Sequence, residues 1–579
     1  MFLFFFAFLQ FESKGITVTA KQFRDLPYQV QTIKVDRILT ISNLGEFLEK
    51  KAGVEIEEYG SPGSLTQVVA LGLSPSHTLT LLNGHRISDP KTGGFDLSAI
   101  PLNSVKRIEI IKGPSSVFRG SNAISGIVNF ITEGKENKIK IQGNTHPGVL
   151  IGIRGSKFGI SGNLNLERGI GERSNTDYER YSLSLDWEGF NLLGTYRNIG
   201  TPGPVPNPEL IPPFGDWSAM NLYDKQITKF VDGSYQKKLE FGDIGVIVSP
   251  DIRWELLEPE SIYSDFFTND TIKENDRYKT LVGQLDTKIF YRWMTLSIHL
   301  ERDTILMDQY KSNQQNISWS AGDKNAGIML ASSYNFSGFN LFTSIREDWF
   351  ESFGLHSSWS LGARSAGQIE GYFSLGSAFR APTLNDLYWP HYSNDSLQPE
   401  YSIGFNAGIQ SSGFSASGYI EDIKDRIGYG PDWKPHNIYK SRIYGIDIQY
   451  NQSYKNLTYT FSYSYLNGYD YYDNLTRELQ YRPKHSFSGI ITYKGPVNGE
   501  ISSKWIGKKK KWFSNPGKWK VKGPYLVIDG SVEKKIGGVR IGFGVENILD
   551  EKYIASFGNR YNDRDYPGLG RYFNFWIEF

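Results

Sequence analysis

The chain has 579 residues, 63 Lys and Arg against 62 Asp and Glu, 60 glycines, no cysteine and 15% aromatic residues, with a polar mean hydropathy. The missing cysteine excludes disulfide scaffolds and Cys-ligated zinc or iron–sulfur centres, and balanced charge argues against a nucleic-acid partner. Past the first nine residues no apolar run approaches the ~20 that a membrane helix needs, whereas aromatic and glycine richness at polar hydropathy fits a transmembrane β-barrel, half of whose strand residues face lipid.

Met1 to Leu9 reads MFLFFFAFL, as long as the apolar core of an export signal, and residues 1–13 are read as that signal. It lacks the usual basic start, and nine residues are too few to span a membrane. From 21 to 135 the pattern predicts a compact α+β unit. Asn43 with Glu46 is capping-box-like, Leu44, Phe47, Leu48 and Ala52 follow helical spacing, and Gly53 stops the turn. Short apolar runs at 68–71, 78–82, 105–111 and 126–132 predict strands, and Asn83-Gly84 between Leu82 and Ile87 predicts a tight hairpin turn.

From 136 to 579 the period changes to two. Tyr181, Leu183, Leu185 and Trp187 alternate with Ser182, Ser184 and Asp186; Phe573, Phe575, Ile577 and Phe579 alternate with Asn574, Trp576 and Glu578. Period two sends the two sets to opposite faces of a strand. An apolar outer set over a polar inner one is the arrangement of a lipid-facing barrel with a wet lumen. At roughly 20 residues per strand and connection, this stretch holds about 22 antiparallel strands, a barrel wide enough to need a lumenal plug. Short connections (495–499, 537–538) alternate with long ones (507–523, 556–570), and short turns belong to the periplasmic side. The expected fold is therefore all-β and transmembrane, a 136–579 barrel with the 21–135 unit as its plug.

Several strings carry a resemblance. The front unit holds Leu81-Leu82-Asn83-Gly84, Asp96-Leu97-Ser98-Ala99-Ile100-Pro101, Val105 to Pro114 (VKRIEIIKGP) and Arg119 to Asn129 (RGSNAISGIVN). The barrel adds Phe379-Arg380-Ala381-Pro382-Thr383, Leu397-Gln398-Pro399-Glu400, Val545 to Asp550 (VENILD) and a terminal Phe579. In these the chain resembles the TonB-dependent outer-membrane receptors over nearly its whole length. The resemblance implies an active transporter in the outer membrane of a Gram-negative-type bacterium. It implies a scarce, bulky cargo, driven across by the inner-membrane partner TonB with its energising complex.

The resemblance also assigns candidate residues. Within 14–20, Ile16, Thr17, Val18, Thr19 and Ala20 look like the segment that engages TonB; an uncharged, β-competent tail can add as a strand to a partner sheet edge. The alternative is an ordinary first strand of the plug. The implied cargo site is the plug tip, here Arg86, Ser88, Asp89, Lys91, Thr92, Gly93, Gly94 and Phe95, together with the outer loops. A Gly-Gly pair beside an aromatic can pack on a large planar ligand. The string 89–98 looks nearest to vitamin B12 receptors, which implies a corrinoid. Ferric siderophores and haem stay open, haem because His391 lies where haem receptors place a ligating His, although no second His stands in 88–98. Glu109, Lys106, Lys112 and Arg119 are candidates for weak, exposed plug–barrel ion pairs.

Two further clusters lie on expected outer loops. Trp505, Lys508 to Trp512, Lys518, Trp519, Lys520 and Lys522 make a basic aromatic loop suited to lipopolysaccharide phosphates or to steering anionic cargo. Asp265, Asn269, Asp270, Glu274, Asn275 and Asp276 are oxygen donors for a loop Ca²⁺, without tight ligand spacing. No resident cofactor is expected and the protein is read as a monomer. Enzymatic motifs (His-Glu-x-x-His, Gly-x-Ser-x-Gly, a phosphate-binding Lys loop) are missing, so the reading is not an enzyme. A passive porin or a barrel hydrolase is the alternative of another class.

Overall fold

The structure is a computed structural model; it describes residues 28, 30–35, 43–59, 63–132, 138–144, 148–157, 160–170, 177–201, 221–264, 271–312, 316–430, 432–472, 475–513, 518–557 and 565–579. Residues 1–13, the Ile16–Ala20 segment and Asp265, Asn269 and Asp270 lie outside the described residues. No helix among the described residues is long and apolar enough to cross a membrane.

One antiparallel sheet closes on itself from 138 to 578, strand 572–578 pairing with 138–144 across Phe575–Gly143. Segments 221–235 and 237–241 form one strand with a break at Gln236, both pairing with 244–264. Segment 475–478 is an outer extension on 457–472. With those two merged, 22 strands span the barrel, matching the expectation from chain length. The tight turns on one rim follow from local backbone chemistry. Glu188-Gly189 and Ser337-Gly338 both have positive φ at each residue (45° and 88°, 49° and 81°), the twist that joins adjacent strands through two residues. Strands 244–264 and 271–291 have 21 residues each, against the ~9–11 needed to cross, so this wall rises well beyond the membrane on the long-loop side.

The alternation sorts as expected. Tyr181, Leu183 and Trp187 point outward while Ser182, Ser184 and Asp186 are buried inside. In the last strand Phe573, Phe575 and Ile577 are exposed to the lipid side, and Trp576 faces the lumen, where its Nε1–H donates to Glu533 and its ring lies over Gly542.

Inside stands a mixed five-stranded sheet in the order 30–34, 107–112, 126–131, 78–82, 85–86. Strand 30–34, which pairs with 107–112, escaped the apolar-run reading because VQTIK is half polar. Helix 44–52 starts where the sequence signals it: the Asn43 side chain accepts the Glu46 N–H and Gly53 closes the end at φ 61°. Its Leu44, Phe47 and Leu48 pack with Ile108, Ile110 and Phe130 in a core that also takes in Leu193 and Phe230 from the barrel wall.

Candidate functional site

Topology sets which end of the plug faces which side. Strand 126–131 leads into the barrel at its short-turn rim, and 78–82 runs parallel to it. The Asn83-Gly84 turn (φ 51° and 89°) therefore faces the periplasmic rim, and the segments before 78 and after 87 face outward.

Segment 88–96 lies at that outer end, but most of its side chains are engaged. Arg86 Nη2 donates to the Ser121 carbonyl at 2.6 Å, and the Ser88 carbonyl accepts from Arg253 at 3.0 Å. Lys91 is buried, 3.1 Å from Asp89 and 2.9 Å from Thr280 Oγ1. Burial works against its charge, but Asp89 and Glu255 outweigh that and hold the ammonium above its ordinary range. Phe95 packs edge-on against Phe230 at 5.8 Å in the core. Gly93 has φ 76°, and a Cβ there would lie 2.8 Å from Ser76 Cβ; at Gly94 it would lie 2.6 Å from Gln67 Nε2. The Gly-Gly pair thus lets backbone approach plug neighbours. Of the eight tip residues, Thr92 alone is exposed, with Asp89 and Arg86 part-exposed.

Loop 381–399 folds onto this tip. Thr383 and Asp386 form a reciprocal capping box for helix 384–388, whose Leu384 N–H donates to the Pro90 carbonyl at 2.9 Å. Trp389 then stacks on Tyr278 and meets Trp319 edge-on. His391 sits exposed at φ 67° in the same loop.

The motif strings of plug and barrel meet at one seam. The Phe379 carbonyl accepts from Asn122 N–H, the Ser116 hydroxyl bonds Phe379, and Ala381 N–H donates to Ser121 Oγ at 2.8 Å. Beside this, His77 Nε2 lies 2.5 Å from Glu400 Oε2. Arg380 Nε donates to Glu400 Oε1 at 2.9 Å, as does the Ile427 N–H at 3.0 Å. Burial holds His77 below its usual range, so the ring is neutral. A carboxylate only accepts, so Nε2 carries the proton and Nδ1 accepts the Ser74 hydroxyl at 2.6 Å. Nothing in the sequence around His77 signals this role; its partner is 323 residues away.

The four charged residues expected to tie plug to barrel divide. Lys112 reaches Asp447 at 2.9 Å and Arg119 lies 3.5 Å from Asp286. Glu109 instead pairs within the plug with Arg107 and Asn129, and Lys106 is exposed. Among the crossing pairs, Lys504 to Glu49 and Arg482 to Glu57 are half-buried, as is Arg119 of the Asp286 pair, whereas Lys50 to Asp529 and Lys112 to Asp447 are buried. Such pairs add little net stability, because desolvation offsets their attraction, yet removing one partner costs about 3–5 kcal/mol.

Above the plug hairpin 55–69 is a cavity of about 490 Å³. Glu55, Glu57 and Tyr59 line it from the plug, with Arg426, Tyr439, Arg482, Lys509 and Tyr566 from the barrel. Its cations are paired: Arg482 with Glu57 at 2.7 Å, Arg426 with Asp470 at 2.6 Å, Lys509 with Glu55 at 3.3 Å. Tyr59 meets Tyr566 edge-on at 5.3 Å and donates to Glu57. Sequence reasoning missed this site because its walls come from distant segments of the chain. Of the proposed Ca²⁺ donors, Glu274 accepts from Gln309 at 3.0 Å and Asp276 from Tyr278 at 3.0 Å. Among the described residues no group of three or more His, Asp or Glu has metal-binding geometry.

A 22-stranded barrel filled by a plug held through polar contacts, with a cavity between plug and wall that serves as its vestibule, defines a gated outer-membrane receptor. Residues 140–548 match the family described as TonB dependent receptor-like, beta-barrel, and 22–127 match the TonB-dependent Receptor Plug Domain; the chain belongs to the TonB-dependent receptor family. It is accordingly a protein of the Gram-negative outer membrane, in a family of TonB-coupled transporters and receptors rather than enzymes. It is similar to the vitamin B12 transporters BtuB of Vibrio vulnificus, 25% identical over 96% of this chain and 94% of the relative, and of Photobacterium profundum, 23% identical over 96% and 95%. Among solved structures it resembles the ferric-catecholate import receptor Fiu of E. coli K12, closed form, with a TM-score of 0.76 at 14% identity over 96% and 97% of the two chains. It also resembles the copper transporter OprC, at 0.74 and 15% over 95% and 98%.

Proposed function

We propose that this protein is a TonB-dependent importer of a corrinoid of the cobalamin type. The observation that carries the reading is end-to-end similarity to relatives named as vitamin B12 transporters. The cavity between plug and wall agrees with it in kind: with Tyr59, Tyr439 and Tyr566 in its lining and its cations already paired, it would hold one part of a bulky, nearly neutral ligand. Cargo then meets Thr92 and Asp89 of the tip together with the vestibule wall. In this reading residues 1–13 are an export signal and 14–20 the partner-binding tail, with plug to 135 and barrel beyond. The monomer binds TonB through Ile16–Ala20 and has no catalytic role. Ligand shifts that tail only if it binds the two plug states with different affinity.

A second reading is a ferric siderophore, the cargo class named for the ferric-catecholate import receptor whose fold this chain resembles. Haem through His391 is a third; no second His lies in the described tip.

The test is direct binding of cyanocobalamin, haem and a ferric siderophore panel to the refolded full chain. Tight corrinoid binding is expected. Siderophore binding alone would replace the corrinoid, and haem binding lost in His391→Ala would establish the third reading. Deleting Ile16–Ala20 should leave binding intact and abolish uptake. Uptake that survives dissipation of the proton gradient would instead mean a passive porin.

A further inference from the structure

The barrel wall is incomplete at one place on its long-loop rim. Strand 457–472 pairs with 485–493 only as far as Tyr465 opposite His485; beyond that its outer end pairs with 475–478. Between this extension and the outer end of 498–506 lies a cleft of about 360 Å³. Leu466, Leu479 and Pro524 make its apolar surface, and Trp505 flanks it.

Strand register places the cleft at a definite depth. His485 shares the lipid face with Phe487 and Ile491, and Trp505, opposite Phe487, shares it with the exposed Ile501. Tyr463 and Tyr465 close around His485, the Tyr463 hydroxyl 2.9 Å from Nδ1. This is an outer aromatic girdle, and such girdles sit at the level of the lipid headgroups.

Three lysines stand around the cleft at that level: Lys484, Lys508 and Lys510. One carboxylate faces them. Glu478 holds Lys484 at 3.1 Å and Lys510 at 2.8 Å, while Lys508 is exposed and has no ion pair among the described residues. The hairpin 509–513 and 518–522 sends four other lysines elsewhere. Lys509 turns in to Glu55, Lys511 is buried over the Tyr481 ring, and Lys520 and Lys522 both lie 3.3 Å from Asp565. The basic run is therefore not one lipid-binding patch; among its described side chains, alternation delivers Lys508 and Lys510 to the cleft, where Lys484 joins them.

A surplus of cation at headgroup depth, beside an apolar slot in the wall, is complementary to a phosphate carried on an acyl chain. We propose that this cleft binds a phosphorylated glycolipid of the outer leaflet, the lipid A part of lipopolysaccharide. Its phosphate lies on Lys484, Lys508 and Lys510 and an acyl chain runs along Trp505. The inference rests on the outer-membrane location and not on which cargo is imported.

The test uses the full chain in lipid nanodiscs, with retention of bisphosphorylated lipid A, dephosphorylated lipid A and phosphatidylethanolamine read by native mass spectrometry. Wild type should retain the bisphosphorylated form selectively. Lys508→Gln should lower its retention about fivefold, and the variant with Lys484, Lys508 and Lys510 all changed to Gln by more. Glu478→Gln, which removes the competing carboxylate, should raise it. Equal retention of phosphorylated and dephosphorylated lipid A overturns the proposal, as does indifference to both Lys508→Gln and Glu478→Gln in barrels that keep their heat-modifiable migration. Displacement by inorganic phosphate would make it a site for free anion instead, and would equally overturn it.

Discussion

His77 of the plug and Glu400 of the barrel are joined Nε2 to Oε2 at 2.5 Å, with Arg380 on the same carboxylate and Ser74 on the other ring nitrogen. This buried chain lies beside the seam where plug segment 116–122 bonds the edge of Phe379–Ala381. Whatever moves the plug must break or carry this contact, because one end is anchored in the wall.

Glu400→Gln keeps the shape but leaves the Arg380 guanidinium buried without full charge compensation. Arg380 and Glu400 both belong to the wall, so the plug loses only the charge assistance of the His77 contact, and a loss of about 1–2 kcal/mol in plug stability is expected. Hydrogen exchange of residues 74–78 and 121–126 would report it; unchanged protection there would contradict the anchoring role.

Acid should loosen the plug. Burial holds His77 below its usual range and pushes His85 down to about 4, from an unfolded value near 6.5. With the folded value the lower one, the unfolded plug binds more protons as pH falls. Stability is thus complete above about 6.5 and is lost as pH drops toward 4, by about 3 kcal/mol for His85. Denaturation midpoints of the plug at pH 7.5 and 5 check the sign, and His85→Gln should flatten the slope.

Gly93→Ala and Thr92→Ala should separate packing from recognition. Gly93 has φ 76° and no room beside Ser76, so alanine there should cost about 1–3 kcal/mol of plug stability. Thr92 is exposed, and its alanine variant should leave stability unchanged while altering ligand affinity. Calorimetry and a binding isotherm on each variant decide between the two effects; a stable Gly93→Ala plug would refute the close approach.

In the vestibule, Tyr566→Ala removes an aromatic wall that also packs on Tyr59. Ligand affinity should fall about tenfold, the loss of one aromatic contact of roughly 1.4 kcal/mol. Unaltered affinity would move the cargo site elsewhere on the outer face. Arg482→Ala should act differently, freeing the half-buried Glu57 and the Gly72 carbonyl and lowering protection of strands 55–58 and 66–69 by about 1–3 kcal/mol.

Much of this protein is readable from neighbouring residues alone. Alternation sorted Phe573, Phe575 and Ile577 from Asn574 and Glu578 because a strand turns successive side chains to opposite faces. Asn83-Gly84 marked its hairpin because the turn needs positive φ twice. Asn43 and Gly53 bounded their helix because its end groups need partners nearby in sequence. These signals act over a few residues, so the barrel, its strand number and the presence of a plug follow from the order of amino acids. Partnerships across the lumen do not. The tip string suggested ligand contacts at Lys91, Gly93 and Phe95, yet Thr280, Ser76 and Phe230 occupy those positions, two of them brought in from the wall. His77 meets Glu400 and Lys509 meets Glu55 only when the sheet closes around the plug. Closure sets distances between residues hundreds apart in the chain, and no local preference encodes them.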